Sequence, residues 1–325
     1  MIKISFTKNN RRLRDCVKGG RRMISVVIPV FNEEIGIKEN IKEIMKHLPQ
    51  DFEIVLVDDG SKDTTWTKVV ELGNEDKRIT GVRFSRNFGK EAALMAGISH
   101  ASGDAVIMMD SDLQHPPEYI PEMIAKWQEG YKIVETRKKN RGKESLMYKL
   151  CAGAFYKSLK KLSGIDMANS GDYKLLDRSV VEKIKEFKEG QLFFRGLVQW
   201  VGYEKYVIDI DIHERKAGKT KFRFKSLFKL ALNAITSFSS SLLYITAFIG
   251  TIFFVGAVIL GIQTIYNKIV GIAVEGFTTV ILLQLIIGSL IMFCLAIIGI
   301  YVGKIYEEVK GRPQYIVSET NNRNK

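Results

Sequence analysis

The chain has 325 residues, 46% of them hydrophobic and 26% charged, with a formal net charge of +13. This composition supports a sizeable core and excludes global disorder, and the length leaves room for one domain of ordinary size plus further segments. Cys16, Cys151 and Cys294 lie too far apart for a disulfide framework or a metal-binding spacing, which suits a reducing compartment.

Residues 1–22 carry eight basic side chains against Asp15 alone. They lack the apolar stretch of a signal peptide, so they read as a disordered basic arm, or as upstream of a true start at Met23. No aromatic platform accompanies the charges, so nucleic acid is not an expected partner. Strands are then expected over 24–30, 52–57, 81–84, 105–109 and 132–134, with helices over 34–47, 64–72, 90–100 and 118–130, the last opened by Pro117. Strands alternating with helices predict a mainly parallel sheet with ligands at the strands' carboxyl ends.

Residues 230–267 carry no charge, and neither do 276–303. Each run exceeds the ~20 residues needed to cross a bilayer. Phe222, Phe224, Leu227 and Phe228 alternate with Lys221, Arg223, Lys225 and Lys229, the pattern of a basic amphipathic helix lying on anionic lipid. Spans are expected near 242–265 and 278–302. Basic residues flank their outer ends (Lys219 to Lys229, then Lys304, Lys310 and Arg312), whereas the loop between them holds only Lys268 and Glu275. The positive-inside rule then puts both termini and the soluble domain in the cytoplasm.

The polar residues at the expected strand ends carry the chemistry. Asp110 and Asp112, one residue apart where the 105–109 strand runs out, can chelate a hard divalent cation that carries a nucleotide diphosphate, or can form an Asx-rich turn. Asp58-Asp59-Gly60-Ser61 ends the second strand, where paired carboxylates can bind ribose hydroxyls and a pyrimidine imino N–H or simply shape a loop. Pro29, Phe31 and Glu33 end the first strand, with Phe31 able to flank a base. No dinucleotide-binding glycine motif and no Walker loop is present.

Val27 to Glu34 (VIPVFNEE), Asp58 to Ser61 (DDGS), Arg86-Asn87-Phe88-Gly89-Lys90 and Asp110 to Glu118 (DSDLQHPPE) resemble family 2 glycosyltransferases of GT-A fold. Within them the chain resembles the polyisoprenyl-phosphate glycosyltransferases, the bactoprenol glucosyltransferases and dolichol-phosphate mannose synthase, from about Met23 to about Tyr315. The resemblance implies a GT-A domain over 23–220, a juxtamembrane helix over 221–240, a two-span hairpin over 241–303 and a cytoplasmic tail over 304–325. It implies that Asp110, Asp112 and Gln114 hold Mg²⁺ or Mn²⁺. Pro29, Phe31, Glu33, Asp58, Asp59 and Ser111 would lie around the nucleotide-sugar, Arg137 would face the diphosphate, and Arg215 and Lys221 would hold the lipid phosphate. Asp172 matches the aspartate commonly assigned as catalytic base, and Asp112 belongs with it to the catalytic set. Physical reasoning qualifies that role, because an acceptor phosphate is already anionic near neutral pH and hardly needs a base.

The expected activity is inverting transfer of one sugar from a nucleotide donor to undecaprenyl phosphate. UDP-glucose is the first choice of donor; UDP-N-acetylglucosamine, UDP-galactose and GDP-mannose are alternatives. A flippase partner is expected from the pathway, with nothing in the chain to identify it, and a homotetramer by family analogy alone. Processive family members carry Gln-x-x-Arg-Trp. Here Gln191-Leu192-Phe193-Phe194-Arg195-Gly196 has another spacing and no tryptophan after the arginine, which argues against a polysaccharide synthase. A non-catalytic membrane scaffold is the remaining alternative.

Overall fold

The computed structural model describes residues 22–138, 171–187, 194–211, 241–270 and 276–321. Arg215, Lys221 and the whole proposed juxtamembrane helix lie outside the described residues.

The strands are β1 (Ile24–Val30), β2 (Phe52–Asp58), β3 (Ile79–Phe84), β4 (Ala105–Met108), β5 (Ile133–Lys138), β6 (Lys174–Asp177), β7 (Lys205–Ile210) and β8 (Val317–Thr320). The helices are α1 (Ile37–Met45), α2 (Thr65–Glu75), α3 (Lys90–His100), α4 (Ile120–Gln128), α5 (Arg178–Lys185), α6 (Phe194–Trp200), α7 (Ser241–Ile269) and α8 (Phe277–Lys310). One eight-stranded sheet runs in the order β7-β5-β6-β4-β1-β2-β3-β8. Its centre is parallel, as the strand–helix alternation requires: β1 pairs with β2 and β4, and β2 with β3. β6 runs antiparallel between β4 and β5, and β8 closes the β3 edge antiparallel.

The central strands are buried on both faces, hence their near-continuous apolar runs. Val26, Ile28 and Val30 of β1 pack with Ile37, Ile41 and Ile44 of α1 and with residues of α2 and α4. Val27 points the other way, into a second core with α3, α5 and α6. Each fully buried aliphatic side chain contributes about 1.5–3 kcal/mol. Gly97 brings α3 so close to β1 that a Cβ there would lie 2.1 Å from Val27 Cγ1.

The parallel core and α3 lie where the hydrophobic pattern puts them, with element ends shifted. α1 starts at Ile37 rather than Glu34 because Glu34 is engaged elsewhere. Its Oε2 accepts from Thr64 N (3.1 Å) and Oγ1 (2.7 Å), and the left-handed Gly36 (φ 88°) then turns the chain into the helix. Pro117 opens a single 3₁₀ turn, Pro117–Tyr119, ahead of α4. Three strands had no sequence expectation: β6, β7 and β8. Each is short or sits at an edge, and pairs with a strand far away in sequence.

α7 and α8 pack on each other and expose large apolar side chains such as Phe254, Ile262, Met292 and Val302. Among the described residues one helical stretch, Ile286–Lys310, is long and apolar enough to cross a membrane, with mean hydropathy 2.5. α7 spans 29 residues, of which only Lys268 is charged.

Candidate active site

The parallel register aligns Val30 with Asp58, and Val27 with Met108. The first, second and fourth strands therefore deliver Phe31, Asp59 and Asp110 to one edge of the sheet. Phe31 is half exposed there, and Pro29 is partly buried at the end of β1.

Asp58 and Asp59 are buried and have different tasks. Asp58 Oδ1 accepts the backbone N–H of Ser61 at 2.9 Å and also the Ser61 hydroxyl, which closes the turn. Its Oδ2 has no hydrogen-bond partner among the described residues, and the nearest cation is Arg83 at 3.5 Å. Burial pushes the Asp58 carboxyl above its ordinary range, against the Ser61 hydrogen bonds. Asp59 instead accepts from the backbone N–H groups of Phe88 (2.6 Å) and Gly89 (2.9 Å). It anchors the loop before α3. Gly60 lets the two segments meet: at φ +70° its Cβ would lie 2.5 Å from the carbonyl carbon of Arg86.

At the end of β4 the Asp110–Gln114 segment forms a turn. Asp112 Oδ1 accepts the N–H of Gln114 at 3.1 Å, an Asx turn, and Leu113 takes a left-handed conformation (φ 52°). The buried Ser111 donates its hydroxyl to Glu33, and the Ser111 carbonyl accepts from Asn40 Nδ2 at 2.8 Å. Glu33 thus braces the metal motif from β1. Burial raises its pKa, the Ser111 hydrogen bond opposes this, and the nearby Asp112 and Asp110 add to the rise.

The remaining part of the site is a chain of alternating charges. Lys90, the first residue of α3, places Nζ 2.5 Å from Asp110 Oδ1 and 2.8 Å from Asp172 Oδ2. Arg195 of α6 grips the other side of Asp172, with Nε 2.5 Å from Oδ1 and Nη2 2.7 Å from Oδ2. Glu91 accepts the N–H of Phe194 at 2.7 Å, stapling the starts of α3 and α6 together. Burial opposes the charge on Asp172, yet Arg195 and Lys90 hold its carboxyl far below the usual carboxylate range.

The donors suit a hard divalent cation: two carboxylates and the Gln114 amide, all offering oxygen. Among the described residues no three His, Cys, Asp or Glu side chains cluster as ligands. Such a set completes its shell with water and ligand oxygens. The Lys90 ammonium on Asp110 stands where positive charge is welcome.

Arg137 is not brought to this cluster. It forms a two-point ion pair with Asp209 across β5 and β7, at 2.6 and 2.9 Å. His115 packs against Tyr173, with ring centroids 5.6 Å apart.

Residues 25–185 match the model of glycosyl transferase family 2. The chain is 37% identical over 301 residues to the uncharacterized glycosyltransferase YkcC of Bacillus subtilis, covering 91% of this chain and 93% of that protein. The chain belongs to glycosyl transferase family 2. It is also 40% identical to the bactoprenol glucosyl transferase of Shigella phage SfII, over 93% of this chain and 99% of the phage protein. Among solved structures it overlaps glucosyl-3-phosphoglycerate synthase from Mycobacterium tuberculosis with TM-score 0.47 and 20% identity, over 66% and 76% of the two chains. That overlap is too loose for anything about ligands to follow from it.

In this family 2 glycosyltransferase, Lys90 and Arg195 are the site residues to which sequence reading gave no role. Lys90 lies in the Arg86–Lys90 motif without an assigned task, and Arg195 marks the departure from the processive pattern and, with Gly196 to Trp200, the likeness to the bactoprenol branch. A cation opening the helix beside a carboxylate-ended strand was the available signal for Lys90. For Arg195 there was none, because its partner lies on another element.

Proposed function

We propose that this glycosyltransferase moves one sugar from a nucleotide donor to a polyprenyl phosphate at the cytoplasmic face of a membrane. The observation that carries this reading is the 40% identity to a bactoprenol glucosyl transferase over nearly the full length of both chains. UDP-glucose is the favoured donor.

The membrane hairpin has its own support. β7 before α7 and β8 after α8 belong to one sheet, so the chain between them leaves and returns on the same side. Crossings must then be even in number. If α8 crosses, α7 is the partner, and its 29 residues would reach about 43 Å as a straight helix. The basic flanks put the sheet in the cytoplasm.

Asp110, Asp112 and Gln114 would hold Mg²⁺ or Mn²⁺. When bound, the ion supplies Lewis-acid neutralisation of charge on the departing nucleoside diphosphate. Phe31, Pro29 and Asp58 shape the nucleoside end, and Asp58 Oδ2 is an acceptor without a hydrogen-bond donor of its own. Glu33 keeps Ser111, and with it the metal turn, in place. Asp172 acts as a fixed anion that orients the acceptor or a sugar hydroxyl, because its two cations remove its appetite for a proton. Arg215 and Lys221 would meet the lipid phosphate at the bilayer surface, with Arg137 on the donor side after exchanging Asp209 for phosphate oxygens. A homotetramer and a flippase that turns over the product lipid complete the reading.

The test is purified full-length protein with radiolabelled nucleotide sugars, Mg²⁺ or Mn²⁺ and undecaprenyl phosphate. A lipid-extractable, acid-labile product is expected with one donor. No such product with any donor, or polymer formed without added lipid phosphate, sinks the reading.

A further inference from the structure

Lys90 has a second contact, with Asp110, that the transfer reaction as described does not use. Its backbone is fixed: Gly89, at φ +98°, and Phe88 are both tied to the carboxylate of Asp59, and Glu91 is tied to the start of α6. Its side chain is long, is 40% exposed, and ends between two carboxylates of different function, Asp110 of the metal motif and Asp172. Asp172 keeps a second cation, Arg195, whatever Lys90 does. Among the described residues Asp110 forms an ion pair with Lys90 alone.

We propose that Lys90 is a positioning residue that neutralises Asp110 in the metal-free enzyme and passes wholly to Asp172 when a divalent cation binds, linking the metal half of the site to the acceptor half. The inference rests on the proposed polyprenyl-phosphate reading for what the two halves bind. An ammonium 2.5 Å from a carboxylate oxygen and a divalent cation on that same carboxylate repel each other, so metal binding weakens the hold of Asp110 on the ammonium. The lysine stem can swing, and Asp172 already lies 2.8 Å away. Asp172 is held by Lys90 and Arg195 already in the metal-free state; in the second state the Lys90 ammonium serves Asp172 alone and is no longer shared with Asp110. The displaced ammonium also screens the acceptor phosphate from the Asp172 carboxylate.

This gives Lys90 two opposed effects, which a merely structural lysine would not have. Without it, Asp110 is free for the metal, so binding of Mn²⁺ alone should tighten, by about tenfold for the removal of one competing charge. Turnover should fall, because Asp172 loses one of its two holders.

The experiment measures Mn²⁺ binding to detergent-solubilised full-length protein, read from the loss of the free-ion EPR signal without nucleotide, alongside steady-state transfer. Lys90→Met is expected to bind Mn²⁺ about tenfold more tightly than wild type and to lose at least about a hundredfold in kcat, with donor KM little changed. Lys90→Arg keeps the charge and should hold Mn²⁺ affinity within about threefold of wild type. If Lys90→Met does not fold, Lys90→Gln carries the same expectation. Unchanged or weaker Mn²⁺ binding in the neutral variants overturns the role of Lys90, even where wild type is fully active. An inactive wild type instead overturns the functional reading, and the two failures are told apart by the assay that fails.

Discussion

Arg195 and Asp172 form a bidentate pair, with Nε on Oδ1 at 2.5 Å and Nη2 on Oδ2 at 2.7 Å. The Asp172 side chain is only 16% exposed, so the pair is largely out of water. A carboxylate held this way accepts hydrogen bonds strongly and accepts protons poorly.

The pH behaviour of Asp172 follows from the direction of its shift. Its pKa is depressed on folding, so its contribution to stability is complete above the unfolded value of about 3.9 and is lost as pH falls towards the lower folded value. Asp172→Asn should cost about 2 kcal/mol at neutral pH. Urea denaturation of both proteins should show a constant gap from pH 5 to 8 that narrows only below about pH 4. A gap that closes near pH 6 would mean Asp172 titrates there and is available as a base.

Arg195→Lys keeps the charge and loses the fork. Lysine presents a single point of contact, so Asp172 can rotate. We expect kcat to fall by about a hundredfold with donor KM within about threefold, because the fault lies in orientation rather than donor binding. Steady-state kinetics with varied donor separates the two parameters.

Asp110→Asn and Asp112→Asn each remove a charged oxygen from the cation site. Loss of activity of about a thousandfold is expected for either, and chelation of divalent ions should silence wild type reversibly. Asp112→Asn can still accept the Gln114 N–H, so its thermal transition should stay close to wild type. A coincident collapse of stability would mark the turn, rather than the ion, as the purpose of the motif.

Gly60→Ala tests the contact between the Asp58–Ser61 turn and the Arg86 loop. The new methyl meets the backbone of Arg86 at 2.5 Å on a residue at φ +70°, so both strain and overlap oppose it. A loss of about 2–4 kcal/mol is expected in chemical denaturation. Nucleotide affinity should fall as well, since Asp58 is held by Ser61 across the displaced residue.

Removing residues 315–325 takes away β8 and bares the β3 edge. With them go the stacking of Tyr315 on Phe84 (5.0 Å), the bond from Trp66 Nε1 to Glu319 (2.9 Å) and the bond from Gly81 N to Asn321 (2.7 Å). The truncated protein should lose about 2–4 kcal/mol and tend to aggregate. Hydrogen exchange should show β3 amides opening first, and exchange unchanged from wild type would show that β8 is dispensable.

Much of the site was legible in the chain. Apolar runs ending in Asp58-Asp59 and in Asp110-Ser111-Asp112 read correctly as parallel strands with carboxylates at their carboxyl ends. The turn and metal readings of Asp112 need not compete, because the turn uses only Oδ1 of its carboxylate. Asp59 shows a contact on which the sequence is silent. Nothing in its neighbourhood says that its carboxylate is taken up by Phe88 and Gly89, 29 and 30 residues away.

The sequence by itself determined the order of the strands' apolar runs, the polar groups at their ends and the charge-free stretches that follow, because periodicity and composition are local properties of the chain. Only the tertiary structure decided that Lys90 meets Asp172 across 82 residues and that Asn321 meets Gly81 across 240. Such contacts are bought by burying separate helices and strands against one sheet, and no short window of sequence carries their signature.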